Sequence, residues 1–198
     1  GKGSFMIRSS REYSKISSKF ILDDVFLNFV GLWIADGCYD RDSIIISVQE
    51  EENREVVRRV ASKFGMPVKM HTDGFSLMIN STLLKAIMID VLHLKGDSYT
   101  KNIPDWIYNL SDKNIGALLK GIFSGDGCVS QNEILLSVRS KELISGVVDL
   151  LLRFGIVSRS SKRLSKGGYL KEAKDMFNFR LGSTKMIKKF REHIGFLV

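Results

Sequence analysis

Residues 31–38 read GLWIADGC and residues 121–128 read GIFSGDGC. A phrase repeated in register constrains the fold strongly, because what the first copy builds the second builds again. At an offset of 90, positions 29–65 and 119–155 agree at 11 of 37 places, where random sequence of average composition gives roughly 2. The shared residues run from Gly31/Gly121 through Asp36/Asp126, Gly37/Gly127 and Cys38/Cys128 to Phe64/Phe154 and Gly65/Gly155. Beyond that pair the offset becomes 102, and Ser81-Thr82 aligns with Ser183-Thr184. The second copy therefore carries a 12-residue insertion within VSRSSKRLSKGGYLKE.

Each copy predicts the same series of elements. A helix (Leu27–Ala35, Ala117–Gly125) ends before Gly37 or Gly127, which can take the left-handed conformation that closes a helix. Strand-like SIIISVQ (43–49) and EILLSVR (133–139) follow, rich in branched aliphatic side chains. Amphipathic helices at Asn53–Phe64 and Lys141–Phe154 stop at Gly65 and Gly155. Second hairpins turn at Thr72-Asp73-Gly74 and near Gly167-Gly168, and closing helices begin at Thr82 and Thr184. The unit is αββαββα, an α+β arrangement. The chain divides into an extension (1–24), a first repeat (25–95), a linker (96–114) and a second repeat (115–198). Trp33 and Phe123 are read as core, and Trp106 and Tyr108 as pins for the linker.

The motif helices carry small residues at a spacing of four, Gly31 with Ala35 and Gly121 with Gly125. Such a face lets two helix backbones approach closely. If a pseudo-twofold axis relates the repeats, these helices pack together and Asp36 lies beside Asp126. That is a poor place for carboxylates on structural grounds alone. The negative end of a helix dipole costs a nearby acid about 0.3–1 kcal/mol, and two adjacent carboxylates repel. A divalent cation removes both penalties, and Mg²⁺ takes one or two carboxylates together with phosphate oxygens. The structural alternative, an Asp preceding a turn Gly, accounts for one copy but not for its repetition in register.

Charge points the same way. Of 198 residues, 30 are Lys or Arg and 22 are Asp or Glu, a net +8. Residues 1–130 hold 16 of each sign, whereas residues 131–198 hold 14 basic and 6 acidic. Arg153–Lys174 alone has seven basic residues and one acid. A concentrated basic region suggests a polyanionic partner, with a solvated surface as the plain alternative. No apolar run is long enough to span a bilayer, and the N-terminus lacks the apolar core of a secretory signal, so an intracellular, nucleic-acid-associated protein is expected. The two cysteines, Cys38 and Cys128, predict buried thiols in a reducing compartment.

FVGLWIADGCYD (29–40) and LLKGIFSGDGCVS (118–130), with the Lys101–Pro104 phrase before the second, resemble the two motifs of the LAGLIDADG homing endonucleases in their single-chain form. The resemblance covers roughly residues 25–198, and the Asp-Gly-Cys endings are like those of intein-borne and archaeal-intron members. It implies two four-stranded antiparallel sheets forming a saddle in the DNA major groove, with the motif helices at the interface between repeats. It implies a monomer that cuts a long, nearly non-palindromic duplex with Mg²⁺ or Mn²⁺, Ca²⁺ serving as a non-catalytic substitute, and leaves short 3′ overhangs. By motif position the metal-binding acids are Asp36 and Asp126, and Ala35 and Gly125 before them join the metal set. The water-ordering polar position falls on Gln49 and Arg139. The catalytic lysine falls on Lys101, with Lys95 second, and its counterpart in the second repeat would lie at position 203, past Val198. A non-cleaving RNA maturase or transcription factor is the alternative.

Within that fold, alternate strand residues reach the groove. Lys69 and His71 alternate on one strand, Asn178 and Arg180 on another, and Arg41, Lys162, Arg163, Lys166 and Lys174 sit at hairpin ends where phosphate contacts are expected.

Overall fold

Two side-chain caps set the starts of the motif helices. Helix α1 (Asp24–Asp36) begins where the Phe26 amide donates to the Asp23 carboxylate at 2.9 Å, and α4 (Asp112–Asp126) where the Asn114 amide donates to Ser111 Oγ at 3.3 Å. Each oxygen satisfies an amide that the first turn leaves without a partner. The helices thus begin a turn earlier than their apolar pattern suggests. They end as the sequence places them, at Asp36 and Asp126, but not by left-handed closure. Gly37 (φ −104°, ψ 156°) and Gly127 (φ −81°, ψ 152°) are extended, and the chain passes directly into strands β3 (Gly37–Asp40) and β7 (Gly127–Ser130). Close approach is what calls for glycine here: a Cβ would lie 2.4 Å from Trp33 Cδ1 at Gly37 and 2.4 Å from the Phe123 carbonyl oxygen at Gly127.

The computed structural model describes residues 4–8, 13–17, 21–165 and 174–198. The first repeat continues with β4 (Ser43–Ser47), α2 (Glu51–Lys63), β5 (Val68–Met70), β6 (Ser76–Asn80) and α3 (Thr82–Ala86), the last running into a π-helical turn at Ile87–Val91. A 3₁₀ turn at Asp105–Asn109 lies in the linker. The second repeat continues with β8 (Glu133–Val138), α5 (Lys141–Leu152), β9 (Arg159–Ser165), β10 (Lys174–Leu181) and α6 (Thr184–His193). Among the described residues the strands form two four-stranded antiparallel sheets, ordered β3-β4-β6-β5 and β7-β8-β10-β9. A separate hairpin of β1 (Ser4–Arg8) and β2 (Tyr13–Ser17) precedes them, within the stretch read as an extension. The predicted turn at Gly167-Gly168 lies outside the described residues.

Strand register decides which side chains meet the core. Ile44 and Ile46 stand opposite Ile79 and Leu77, and all four are buried. In the second sheet Ile134, Leu136 and Val138 stand opposite Leu181, Phe179 and Phe177. The helices cover this face of each sheet. α2 contributes Val56, Val57, Val60 and Ala61, and α5 contributes Leu143, Ile144, Val147, Leu150 and Leu151, each set at helical spacing. Both helices stop ahead of the expected glycines, Gly65 (φ 64°) and Gly155 (φ 61°), and both of these are left-handed. The cysteines do not fit their expectation. Cys38 stands opposite Ile45 and Cys128 opposite Leu135, one residue out of phase with the core, so both thiols are exposed on the open faces. Trp33 and Phe123 are buried as read, and Trp106 Nε1 donates to the Leu92 carbonyl at 2.8 Å, fastening the linker. Among the described residues no helix is long and apolar enough to cross a membrane.

The repeats meet through α1 and α4. A Cβ added at Gly31 would stand 2.2 Å from the Leu118 carbonyl oxygen, one at Gly121 2.1 Å from that of Asn28, and one at Gly125 2.5 Å from Ala35 Cβ. The first two are clashes with backbone, which no rotamer change relieves. Gly121→Ala is therefore expected to cost about 1–3 kcal/mol by urea unfolding, more than alanine at the exposed Ser130.

Candidate metal centre and nucleic-acid interface

The contact between α1 and α4 brings Asp36 and Asp126 within electrostatic reach of each other. Asp36 is exposed and Asp126 half-buried. The Asp126 carboxyl is pushed up to about 6, first by burial and then by the Asp36 carboxylate, against the opposing pull of the Lys101 ammonium. Lys101 itself is buried, 4% exposed, and lowered to about 8 by that burial, with Asp126 and Asp36 acting in the other direction. The three groups form one cluster whose members come from the first motif, the second motif and the linker. Lys95 is exposed, so of the two lysines considered it is Lys101 that joins the acids.

The two helix ends are finished differently. Lys101 Nζ donates to the carbonyls of Trp33 (2.8 Å), Gly37 (2.7 Å) and Ala35 (3.5 Å), and sits 4.7 Å from the Trp33 ring centroid. A cation there offsets the negative pole of α1 and adds a second donor to the Trp33 carbonyl, which already accepts from the Gly37 amide. Ser140 Oγ holds the lysine from the second repeat by donating to the Lys101 carbonyl at 2.6 Å, while capping α5 by accepting from the Leu143 amide. At the end of α4 the cap is neutral. Asn53, 3% exposed on α2, donates through Nδ2 to the Ser124 carbonyl (3.0 Å) and to Glu50 Oε2 (3.2 Å). The sequence reading missed Asn53. Its counterpart at the 90-residue offset is Leu143, so neither the shared positions nor the charge pattern marks it. The available signal was a polar residue where the sister helix is apolar.

Gln49 is exposed just past β4. Arg139 lies past β8 and donates to the Lys174 and Asp175 carbonyls, both at 3.3 Å, which directs its guanidinium toward β10. The charges that act on Asp126 are Asp36 and Lys101. Among the described residues no group of three or more His, Cys, Asp or Glu side chains converges to hold an ion. The donors at hand are the two carboxylates and the backbone at Ala35 and Gly125, a hard-oxygen set that phosphate and water would complete.

The register sorts the expected nucleic-acid contacts by face. Lys69 stands opposite Met78, and His71 follows it on the same open face, with Nδ1 3.0 Å from Asp73 Oδ2. Asn178 and Arg180 share the open face of the second sheet. Asn178 Oδ1 accepts from Ser137 Oγ at 2.8 Å, and Arg180 Nε lies 3.4 Å from Glu133. Arg163 stands opposite Met176 and joins that face, as does Lys174, whose Nζ is 4.8 Å from the Tyr99 ring centroid. Lys162 points the other way, paired with Asp175 at 2.7 Å. A charge run says nothing of which side of a strand each member takes, which is why Lys162 and Arg163 were grouped from sequence. Arg159, unremarked in the sequence, stands opposite Arg180 on the open face. Arg41 occupies the β3–β4 turn with φ 45°, exposed, and Lys166 lies outside the described residues.

The raised Asp126 carboxyl has a stability consequence of defined sign. A group whose folded pKa is raised contributes stability when protonated, fully below its ordinary 3.8, and that contribution is lost as pH rises through about 6. Asp126→Asn should match the wild type in unfolding free energy near pH 4 and exceed it at pH 8, by up to about 3 kcal/mol at two pKa units. Asn53→Ala should cost about 1–3 kcal/mol at either pH, because it strands the half-buried Ser124 carbonyl. Differential scanning calorimetry at the two pH values reads both.

A family profile described as a LAGLIDADG-like domain matches residues 113–195. The DNA-directed RNA polymerase subunit Rpo1C of Methanocaldococcus jannaschii is 28% identical over 194 residues, covering 93% of this chain and 21% of that protein. The chain spans 15–24% of the length of the first curated relatives it matches. Among solved structures, I-DmoI in complex with DNA and Mn superposes with a TM-score of 0.63 at 13% identity, covering 88% of this chain and 98% of that one. Full-length DUF199/WhiA from Thermatoga maritima gives 0.61 at 15% identity, covering 89% and 57%. The family profile over the second repeat, together with the paired motif helices and the two-sheet fold shared with I-DmoI, supports membership of the LAGLIDADG family.

Proposed function

We propose that this chain is a divalent-metal-dependent endonuclease that cleaves double-stranded DNA at a long, nearly non-palindromic site and leaves short 3′ overhangs. One observation carries the reading: Asp36 and Asp126, from separate repeats, end adjacent helices beside a single buried ammonium, Lys101. Bringing two carboxylates together costs stability, as the Asp36 contribution to the raised Asp126 carboxyl, second to burial, records. The solved I-DmoI complexes, which contain DNA with Mn or Ca, support the substrate and the class of ion.

In this reading Asp36 and Asp126 hold the cation with the backbone at Ala35 and Gly125. Bound Mg²⁺ or Mn²⁺ supplies an acidified water and charge neutralisation at the phosphodiester. Asp126 must lose its proton to take part, so metal affinity rises as pH passes about 6. Lys101, fixed by three carbonyls, presents positive charge near both acids and favours the phosphate oxygens. Gln49 occupies the position that orders water in the first repeat, Arg139 at the matching position is turned toward β10, and the open sheet faces meet the groove.

The second reading, a non-cleaving nucleic-acid-binding member, draws on the comparable likeness to WhiA. Retention of both acids favours cleavage. Supercoiled plasmid carrying the uninterrupted host sequence should be linearised with Mg²⁺ and bound without cleavage in Ca²⁺. Asp36→Asn and Asp126→Asn should each lower double-strand cleavage by on the order of 10³-fold while binding in Ca²⁺ persists. Full activity in either variant removes that acid from the mechanism. Tighter binding to host intron RNA with no nicking selects the second reading.

A further inference from the structure

We infer that the two open sheet faces grip duplex DNA unequally, with the β7–β10 face supplying the electrostatic hold and the β3–β6 face adding little affinity. This rests on the DNA-binding reading proposed above and assigns the division of labour within it. The observation is the charge that register places on each face. On the second sheet Arg139, Arg159, Arg163, Lys174 and Arg180 share the open side against one acid, Glu133, a net +4. On the first sheet Lys69 is offset by Asp40, a net of zero, and the rows between them are Ser43, Ile45, Ser47, Ser76, Met78 and Asn80. The excess belongs to one side of the second sheet, since on its other side Lys162 is neutralised by Asp175.

The arrangement suits a duplex. Arg159 and Arg163 are four residues apart on one strand, about 13 Å, so they meet separate phosphates of a backbone. Among the described residues the open-side strand positions of this sheet hold no Phe, Tyr or Trp, the stacking platforms that single-strand binding uses, and the neighbouring Tyr99 ring lies against Lys174 Nζ. A β-ribbon fits the major groove of B-form DNA, whereas the deep, narrow major groove of duplex RNA excludes it. Each phosphate neutralised adds about 0.9 to the salt dependence of binding, so the two faces should separate in a salt titration.

The test uses fluorescence anisotropy with a labelled 40-base-pair duplex DNA of mixed sequence, in Ca²⁺, across a KCl series. Arg159→Ala/Arg163→Ala should reduce the slope of log K against log[KCl] by about 1.8 and weaken binding on the order of tenfold or more at moderate salt. Lys69→Ala should change affinity less than about threefold, with a slope change under about 0.5. A thermal melt of the double variant that matches the wild type, followed by circular dichroism, shows that its loss is not misfolding. Equal losses per charge on the two faces, or a wild-type slope in the double variant, overturn the inequality while leaving DNA binding intact. Failure of the wild type to bind the duplex, or tighter binding to duplex RNA of equal length, overturns the DNA reading and the inference with it.

Discussion

The contact on which the rest of the molecule depends is the crossing of α1 and α4, where the glycines of each motif lie against backbone of the other. Carbonyl oxygens at Leu118 and Asn28 occupy the space that side chains at Gly31 and Gly121 would need. Interlocked backbones give the repeats one relative placement, and that placement sets where each helix ends. Since the acids are the last residues of those helices, the interface that joins the halves also places the chemistry. Small residues therefore serve here as spacers for function as much as for packing.

The price of this placement is electrostatic. Two helices that run toward the same end bring their negative poles together, and each pole carries an aspartate. Lys101 answers at α1 by donating to three terminal carbonyls, and Asn53 answers at α4 with a neutral amide. The pseudo-symmetry of the backbone is thus broken where charge matters most, and the half-buried Asp126 carries the raised pKa. A lysine taken from the linker and held by Ser140 of the second repeat ties the halves together at the same point.

The duplication, the helix ends, the following strands and the left-handed glycines after α2 and α5 were legible because each is a local matter of spacing, propensity and backbone freedom. Asp36 and Asp126 were legible because repetition in register separated them from ordinary Asp-Gly turns. The starts of α1 and α4 were less so, since Asp23 and Ser111 cap them ahead of the apolar pattern. Reading Gly37 and Gly127 as helix closures failed because close approach, rather than a turn, is what selects glycine there. The cysteines misled because a shared small residue beside a motif resembles core, while strand pairing turns it outward.

By itself the sequence determined that two like αββαββα units exist, that each ends its first helix in an acid, and that basic charge gathers in the second. These are properties of the chain read along its length. Tertiary structure alone decided that Lys101 and Asn53 cap opposite helices, that Arg159 joins Arg163 and Arg180 while Lys162 turns away, and that a single ammonium lies near both acids. Those outcomes depend on register and on which distant backbone carbonyl a buried donor meets, and residues far apart in sequence acquire such partners only when the helices and sheets have packed.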